Sequence, residues 1–268
     1  MSHSWKNCPQ ELKDFVFDST NGMIDIIEEQ PVGIYLHGSL AMGGFTPNRS
    51  DIDLIVVTEQ SLSIQNRQEL AYFFLEKSSK PFPIEISSLT LEQLENGNHP
   101  TPYDFHFSEF WRERYETELH KYINDEEKTD GDLAAHFMIL KHRGICLAGC
   151  PIEEIFPSIA HQDYLASIME DYEECLEKIV ENPVYCTLNL IRVYWYLKEG
   201  KICSKQEAGV WGQGNLPNEF SGLVQRVAKA YESERADAVY VKKDLIAVRD
   251  YLKKQVELEY KSLIEREF

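Results

Sequence analysis

Two aspartates, Asp51 and Asp53, stand at the head of the apolar run "SDIDLIVVT", and an isolated glutamate, Glu85, stands in "PIEISSL". In a strand, residues two apart share a face, so Asp51 and Asp53 project together while Ile52, Leu54 and Val56 project to the other side. Glu85 alternates with Ile84 and Ile86 and so leaves the apolar face. If the two strands are neighbours, three carboxylates converge. Carboxylates side by side repel, and one resists ionising unless a cation sits between them. A pair of Mg2+ ions resolves the conflict, since Mg2+ takes hard oxygen ligands and completes its shell with phosphate oxygens and water. Just upstream, Gly38-Ser39 follows the strand "GIYLH" and precedes "LAM", which can start a helix. A glycine allows close backbone approach, and a helix N-terminus beside a serine hydroxyl can cradle phosphate. Either motif alone is a common turn. The succession of strand, Gly38-Ser39, Ser50-Asp51-x-Asp53 on a second strand and a lone Glu85 on a third is far more specific.

These residues need a sheet to hold them. Val32–His37 and Ile52–Thr58 read as short β-branched strands bounded by Gly, Pro, Asn and Ser, and Pro83–Leu89 as a third. Apolar spacing predicts helices over Glu11–Glu28 and Ser61–Lys77. "DLAAHFMILKHRGICLAG" reads as a helix opened by Asp132 and stopped near Gly144, followed by a Gly-Cys-Pro turn. Beyond Pro157 the pattern is almost wholly helical: Pro183–Glu199, Lys205–Trp211, Ser221–Glu232 and Ala236–Glu265. The expected architecture is an α/β half followed by a helical half, with a boundary around Gly149–Pro157. Pro183–Leu197 is apolar on nearly every side, as in a helix buried in a bundle, yet carries Arg192 at its middle. A guanidinium in a dry place requires an anion: either an internal Glu or a phosphate in a cleft.

Composition narrows the class. With 268 residues, 43% hydrophobic and 12% aromatic, the chain can bury one large or two modest cores. Its apolar runs are too short to span a bilayer, and no membrane partner is expected. The N-terminus lacks a charged-then-apolar leader pattern, and the six cysteines lack paired close spacing, which favours reduced thiols in the cytoplasm. The formal charge of −18, from 45 acids and 27 bases, repels polyanions and attracts small cations. No basic cluster offsets it, so no nucleic-acid partner is expected.

"LHGSLAMGGFTPNRSDIDLIVV" followed by "PIEISSL" resembles the polymerase-beta-like nucleotidyltransferase superfamily. More narrowly, together with "DGDLAAHFMILKHRGICLAG", "TLNLIRVYWYLKEGKICSKQEAGVWG" and "NLPNEFSGLVQRVAKAYE", it is similar to the aminoglycoside adenylyltransferases that modify streptomycin or spectinomycin. The likeness runs from about Val32 to Glu232, and it implies an α+β fold: a nucleotidyltransferase domain of mixed sheet and flanking helices over residues 1–155, then an α-helical bundle domain over 156–268. It implies that ATP and two Mg2+ ions bind between the domains, with Asp51, Asp53 and Glu85 as metal ligands. Gly38, Ser39 and Ser50 would lie at the phosphates. Arg192, Lys205 and Tyr231 take the positions of the family's ATP-contacting residues. Glu85 would act as general base on the acceptor hydroxyl or as a metal ligand only. The resemblance also implies a monomer and a cationic antibiotic as acceptor.

The acceptor positions match the family less well. Where it has a Trp after a Gly-Glu pair, this chain has Phe110, with Trp111 next. The Trp and Asp of streptomycin-modifying members fall at Glu173 and Lys178, which argues against streptomycin. A family Asp shared by both antibiotics falls at Asn182, beside Glu181. Spectinomycin-type recognition, with Phe110, Trp111, Glu181 and Asn182 at the acceptor, fits better. The alternative is a nucleotidyltransferase acting on a protein hydroxyl or another small molecule.

Overall fold

In the computed structural model, which describes residues 2–267 apart from 48, 125, 127 and 234–238, the chain divides into two compact units, His3–Tyr164 and Leu165–Phe268. The first opens with helix α1 (Gln10–Ile27), whose Leu12, Phe15, Val16, Met23 and Ile27 form one buried stripe. Strand β1 (Gly33–Leu36) leads into the five-residue helix α2 (Gly38–Met42), then β2 (Ile52–Thr58), α3 (Ile64–Lys77) and β3 (Ile84–Thr90). Ser63 caps α3 by accepting from the Asn66 backbone N–H. The segment after β3 winds through α4 (Leu91–Glu95), β4 (Thr101–Tyr103), β5 (Phe105–Phe107), a 3-10 turn (Glu109–Trp111), α5 (Arg112–Tyr122) and β6 (Lys128–Asp130). Helix α6 (Leu133–Arg143), strand β7 (Ile145–Gly149) and the single turn α7 (Ile152–Ile155) follow.

A five-stranded mixed sheet, in the order β5-β3-β2-β1-β7, forms the centre of this unit. Only β2 and β3 run parallel; the other neighbours are antiparallel. Alternation along the strands supplies two apolar faces. Ile34, Leu36, Ile52, Leu54, Val56, Ile84 and Ile86 pack toward α1 and α3. Tyr35, Ile55, Val57 and Leu89 pack toward α6, where Leu133, Phe137 and Leu140 meet them. Both faces are covered, and hence β2 and β3 read as nearly continuous apolar runs. The exceptions are Asp53 and Glu85, each the one half-buried residue in an otherwise buried strand. A buried polar hub stiffens the β3–β5 side: Asp104 accepts from the Leu62 backbone N–H at 2.9 Å and lies 3.9 Å from the Arg67 guanidinium.

The strand β7 corrects the reading of Ile145–Gly149 as a helix end followed by a turn. Gly144 stops the helix as expected, but the five residues beyond it pair antiparallel with β1 and close the sheet edge. A stretch this short carries no decisive periodicity; its state is set by the unpaired edge of β1.

The second unit is helical. Helix α8 (His161–Lys178) enters it, and α9 (Pro183–Glu199), α10 (Lys205–Asn215), α11 (Asn218–Glu232) and α12 (Lys242–Glu267) complete it. The reading of α9 holds from its first residue to its last. Its Leu188, Leu190, Ile191, Val193 and Tyr194 are buried because α10, α11 and α12 pack around it. Close packing of α10 depends on Gly212, where a Cβ would sit 3.0 Å from Ile191 and 3.2 Å from Val224. The expected start of the last helix at Ala236 lies outside the described residues; α12 as described starts at Lys242. No helix among the described residues is long and apolar enough to cross a membrane.

Candidate active site

At one end of the sheet, the chain leaves β1 through His37 and turns at Gly38, which has φ +60°. The turn is forced by proximity. A Cβ on Gly38 would lie 1.7 Å from Asp53 Oδ2, so only glycine lets the backbone lie against that carboxylate. The next residue, Ser39, donates its backbone N–H to Asp53 Oδ2 at 3.3 Å, and the His37 N–H donates to the Asp53 carbonyl at 3.0 Å. The Ser39 hydroxyl is buried and has no hydrogen-bond partner among the described residues. An unpartnered hydroxyl beside a carboxylate, at the start of a helix, is a polar group prepared for a ligand.

The parallel register of β2 and β3 sets Asp53 directly opposite Glu85. Both alternate with residues of the α1/α3 face and share the α6 face with Ile55, Val57 and Leu89, so their side chains leave the sheet on the same side; Asp51 precedes β2 by one residue. The expected convergence thus takes a definite form for Asp53 and Glu85: adjacent strands, same register, same face. Ser50 is buried, and its hydroxyl accepts the Thr46 backbone N–H at 3.0 Å, securing the loop before Asp51.

Two histidines that the motif reading did not single out share this face. His37 is buried, and its ring lies against that of His136 of α6, tilted by 42° with centroids 4.9 Å apart. Burial, and then the neighbouring His136, hold His37 neutral, well below the ordinary imidazole pKa. His106 on β5 lies 3.0 Å through Nδ1 from the Ser87 hydroxyl, on the strand that carries Glu85. Burial lowers its pKa, opposed by the nearby carboxylates Glu85 and Asp130. The sequence signal for His37 was its place immediately before Gly38; His106 had none, because its strand is three residues long.

Among the described residues, no three His, Cys, Asp or Glu side chains are gathered closely enough to cage a metal ion by themselves. That is compatible with Mg2+, which is held by one or two carboxylates together with substrate phosphates rather than by an all-protein cage. The donor set fits: hard carboxylate oxygens on Asp51, Asp53 and Glu85, beside a turn whose buried hydroxyl lacks a partner.

The remaining candidates fall in other places. Phe110 is 76% exposed in the 3-10 turn. Trp111 packs partly against the core, and the Arg114 guanidinium lies 5.4 Å and 4.3 Å from the two rings. In the helical unit, Glu181 and Asn182 are exposed in the turn before α9. The Arg192 guanidinium donates to Asn189 Oδ1 at 2.9 Å and to the Cys203 carbonyl at 3.0 Å, both neutral acceptors. Lys205 is the first residue of α10, and its ammonium sits 4.3 Å over the Tyr185 ring. Tyr231, in the last turn of α11, packs half-buried on the helical core. The structure thus groups Gly38, Ser39, Asp53 and Glu85 in the first unit, and brings Arg192 and Lys205 into one side-chain network in the second.

Comparison with known proteins defines the class first. The nucleotidyltransferase domain family matches residues 22–132, the stretch that carries the Gly38 turn and all three carboxylates. The C-terminal domain of aminoglycoside adenylyltransferases matches residues 154–255. The two matches together span most of the chain, a nucleotidyltransferase domain followed by the C-terminal domain of aminoglycoside adenylyltransferases, and the chain is an enzyme of the nucleotidyltransferase class. It is similar to the spectinomycin 9-adenylyltransferases of Campylobacter jejuni (26% identity over 87% of this chain and 90% of that protein) and Staphylococcus aureus (27%, 87% and 90%). That of Enterococcus faecalis is 28% identical over 84% of this chain and 82% of its own length. The fold matches a crystal structure of spectinomycin adenyltransferase AAD(9) from Enterococcus faecalis with ATP and spectinomycin. The TM-score is 0.77, at 22% identity over 91% of this chain and 99% of that one.

Proposed function

We propose that this protein transfers AMP from ATP to a hydroxyl group of spectinomycin or a closely related aminocyclitol, releasing pyrophosphate. The observation that carries the reading is the pairing of Asp53 with Glu85 across β2 and β3, beside a turn where only glycine fits. The named relatives supply the acceptor class: they are spectinomycin 9-adenylyltransferases.

In this reading the Ser39 hydroxyl and the start of α2 receive phosphate oxygens, and Ser50 holds the approach to Asp51. Asp51, Asp53 and Glu85 are the residues that would hold Mg2+, which when bound neutralises phosphate charge and polarises the α-phosphoryl group. Arg192 and Lys205 add positive charge for the triphosphate, and Tyr231 offers a ring to the base or ribose. Glu85 accepts the proton of the acceptor hydroxyl as that oxygen bonds to the α-phosphorus and the bond to the β-phosphate oxygen breaks. Phe110 and Trp111 supply apolar surface, and Glu181 and Asn182 polar groups, for a cationic acceptor. The protein acts as a monomer, as the family resemblance implies, and in the cytoplasm, in keeping with Cys8, Cys146, Cys150, Cys175 and Cys186 being present as thiols.

Pyrophosphate release from MgATP, followed with a panel of spectinomycin, streptomycin and other aminoglycosides, tests this. Spectinomycin should stimulate release and streptomycin should not. If no member of the panel stimulates release while the protein still binds ATP, the antibiotic reading is wrong. Glu85→Gln should abolish turnover and spare MgATP binding if Glu85 is the base; loss of MgATP binding would make it a metal ligand alone.

A further inference from the structure

Helix α9 is apolar on almost every side, yet it buries Asn189, which is 2% exposed. A buried amide must have both of its ends satisfied. Asn189 Nδ2 donates to Asp171 Oδ2 at 2.7 Å, and Asn189 Oδ1 accepts from Arg192 Nη1 at 2.9 Å. The carboxylate can only accept and the guanidinium can only donate, so this order fixes which way the amide points. The other oxygen of the same carboxylate, Asp171 Oδ1, accepts from the Tyr185 hydroxyl at 3.1 Å. The Tyr185 ring in turn lies under the Lys205 ammonium. A cation over an aromatic face is drawn to the ring centre, so the ring position sets the lysine position. One carboxylate on α8 is therefore linked by one residue to Arg192 and by one residue to Lys205.

The rest of the surroundings keep Asp171 in that role. The Cys175 thiol also points at Asp171 Oδ1, at 3.8 Å. Its hydrogen bond with Cys186, burial, and the Asp171 charge all hold that thiol protonated, hence a donor. Arg192 is locked at a second point by the Cys203 carbonyl, in the connection that delivers Lys205 to the start of α10. Two bonds on one guanidinium, at Nε and Nη1, fix its plane as well as its position.

We propose that Asp171 is a positioning residue for the nucleotide: through Asn189 it orients Arg192, and through Tyr185 it orients Lys205. This rests on the reading that Arg192 and Lys205 meet the triphosphate of ATP. Asp171 touches neither ATP nor the reacting atoms in this account. It sets in advance the geometry of the two groups that do, and small errors in such geometry are costly.

The test is steady-state kinetics and ATP binding for Asp171→Ala, Asp171→Asn, Tyr185→Phe and Tyr185→Leu, with Arg192→Ala and Lys205→Ala alongside and thermal melting for each. Asp171→Ala should raise KM and Kd for MgATP about tenfold or more, the worth of a hydrogen bond to a charged group. KM for spectinomycin should stay within about twofold, since the acceptor contacts are untouched. Asp171→Asn keeps one accepting oxygen and should fall between Ala and the native residue. Tyr185→Phe keeps the ring under Lys205 and should cost less than Tyr185→Leu. Asp171→Ala should also add little in the background of Arg192→Ala with Lys205→Ala, because its effect passes through them. Should Arg192→Ala and Lys205→Ala bind ATP normally, the underlying reading fails and the proposal falls with it. If they weaken ATP but Asp171→Ala, Asp171→Asn and Tyr185→Leu do not, the proposal alone is wrong. Equal losses for ATP and spectinomycin with a lowered melting temperature would make Asp171 a structural residue and overturn it as well; Tyr185→Leu, at a residue 38% exposed, gives the same comparison should Asp171→Ala not fold.

Discussion

At Gly38 a single hydrogen atom in place of a methyl group decides whether the site exists. The φ of +60° alone disfavours any other residue, and a Cβ would have to pass through Asp53 Oδ2. Gly38→Ala is therefore expected to push the Asp53 carboxylate out of line. Turnover should fall by about a hundredfold, as for displacements of about 1 Å at a reacting group, with a stability loss on the order of 1 kcal/mol. Pyrophosphate release and denaturant titration measure the two effects; turnover unchanged in a folded variant would show that the carboxylate does not need its present position. The residues that carry chemistry by type, Asp51, Asp53, Glu85 and the Gly38-Ser39 pair, were legible in the sequence because charges in apolar runs and glycines at strand ends are rare unless used. His106 and Asp171 were not. Histidine and aspartate are ordinary surface residues, and only their neighbours in space make them otherwise.

Among the elements, α10 shows how local chemistry positions a distant function. Ser204 and Glu207 form a reciprocal cap: the Ser204 hydroxyl accepts the Glu207 N–H at 3.1 Å, and the Glu207 carboxylate accepts the Ser204 N–H at 2.8 Å. Lys205 is the residue directly after that cap, so the cap fixes where its side chain departs. Ser204→Ala should cost about 1 kcal/mol in stability and raise KM for MgATP more than KM for the acceptor. Chemical denaturation with kinetics at saturating acceptor would check both; an unaltered KM for MgATP would detach the cap from Lys205 placement. Helix α9 and strand β2 were read from sequence to the residue, since each is long and consistently patterned. Strands β4, β5, β6 and β7 have three to five residues each, below the length at which period can be judged. Their pairing partners decide them.

For the whole molecule, the buried neutral His37 ties stability to pH. Its folded pKa lies well below the ordinary 6.5. Below about pH 6.5 the unfolded chain takes up a proton that the folded chain refuses, so the unfolding free energy drops as pH falls. The formal charge of −18 acts in the opposite direction, because protonating surface groups relieves self-repulsion. Comparing the native protein with His37→Phe removes that second effect, which both share. Between pH 7.5 and 5.5 the native protein should lose about 1.4 kcal/mol more stability than His37→Phe. Urea titrations at the two pH values measure the difference, and parallel curves would mean that His37 titrates normally in the fold. At this scale, too, the sequence and the fold divide the work. Carboxylates and a glycine turn at strand ends, and a helical half with an arginine inside an apolar helix, could all be read from the order of residues alone. They could be read so because side-chain alternation and helical period are local rules. That β2 and β3 are parallel neighbours in the register that sets Asp53 against Glu85, and that Asn189 joins Asp171 to Arg192, emerges in the folded chain alone. Those contacts join segments distant along the chain, and no local pattern specifies which buried polar groups will find one another.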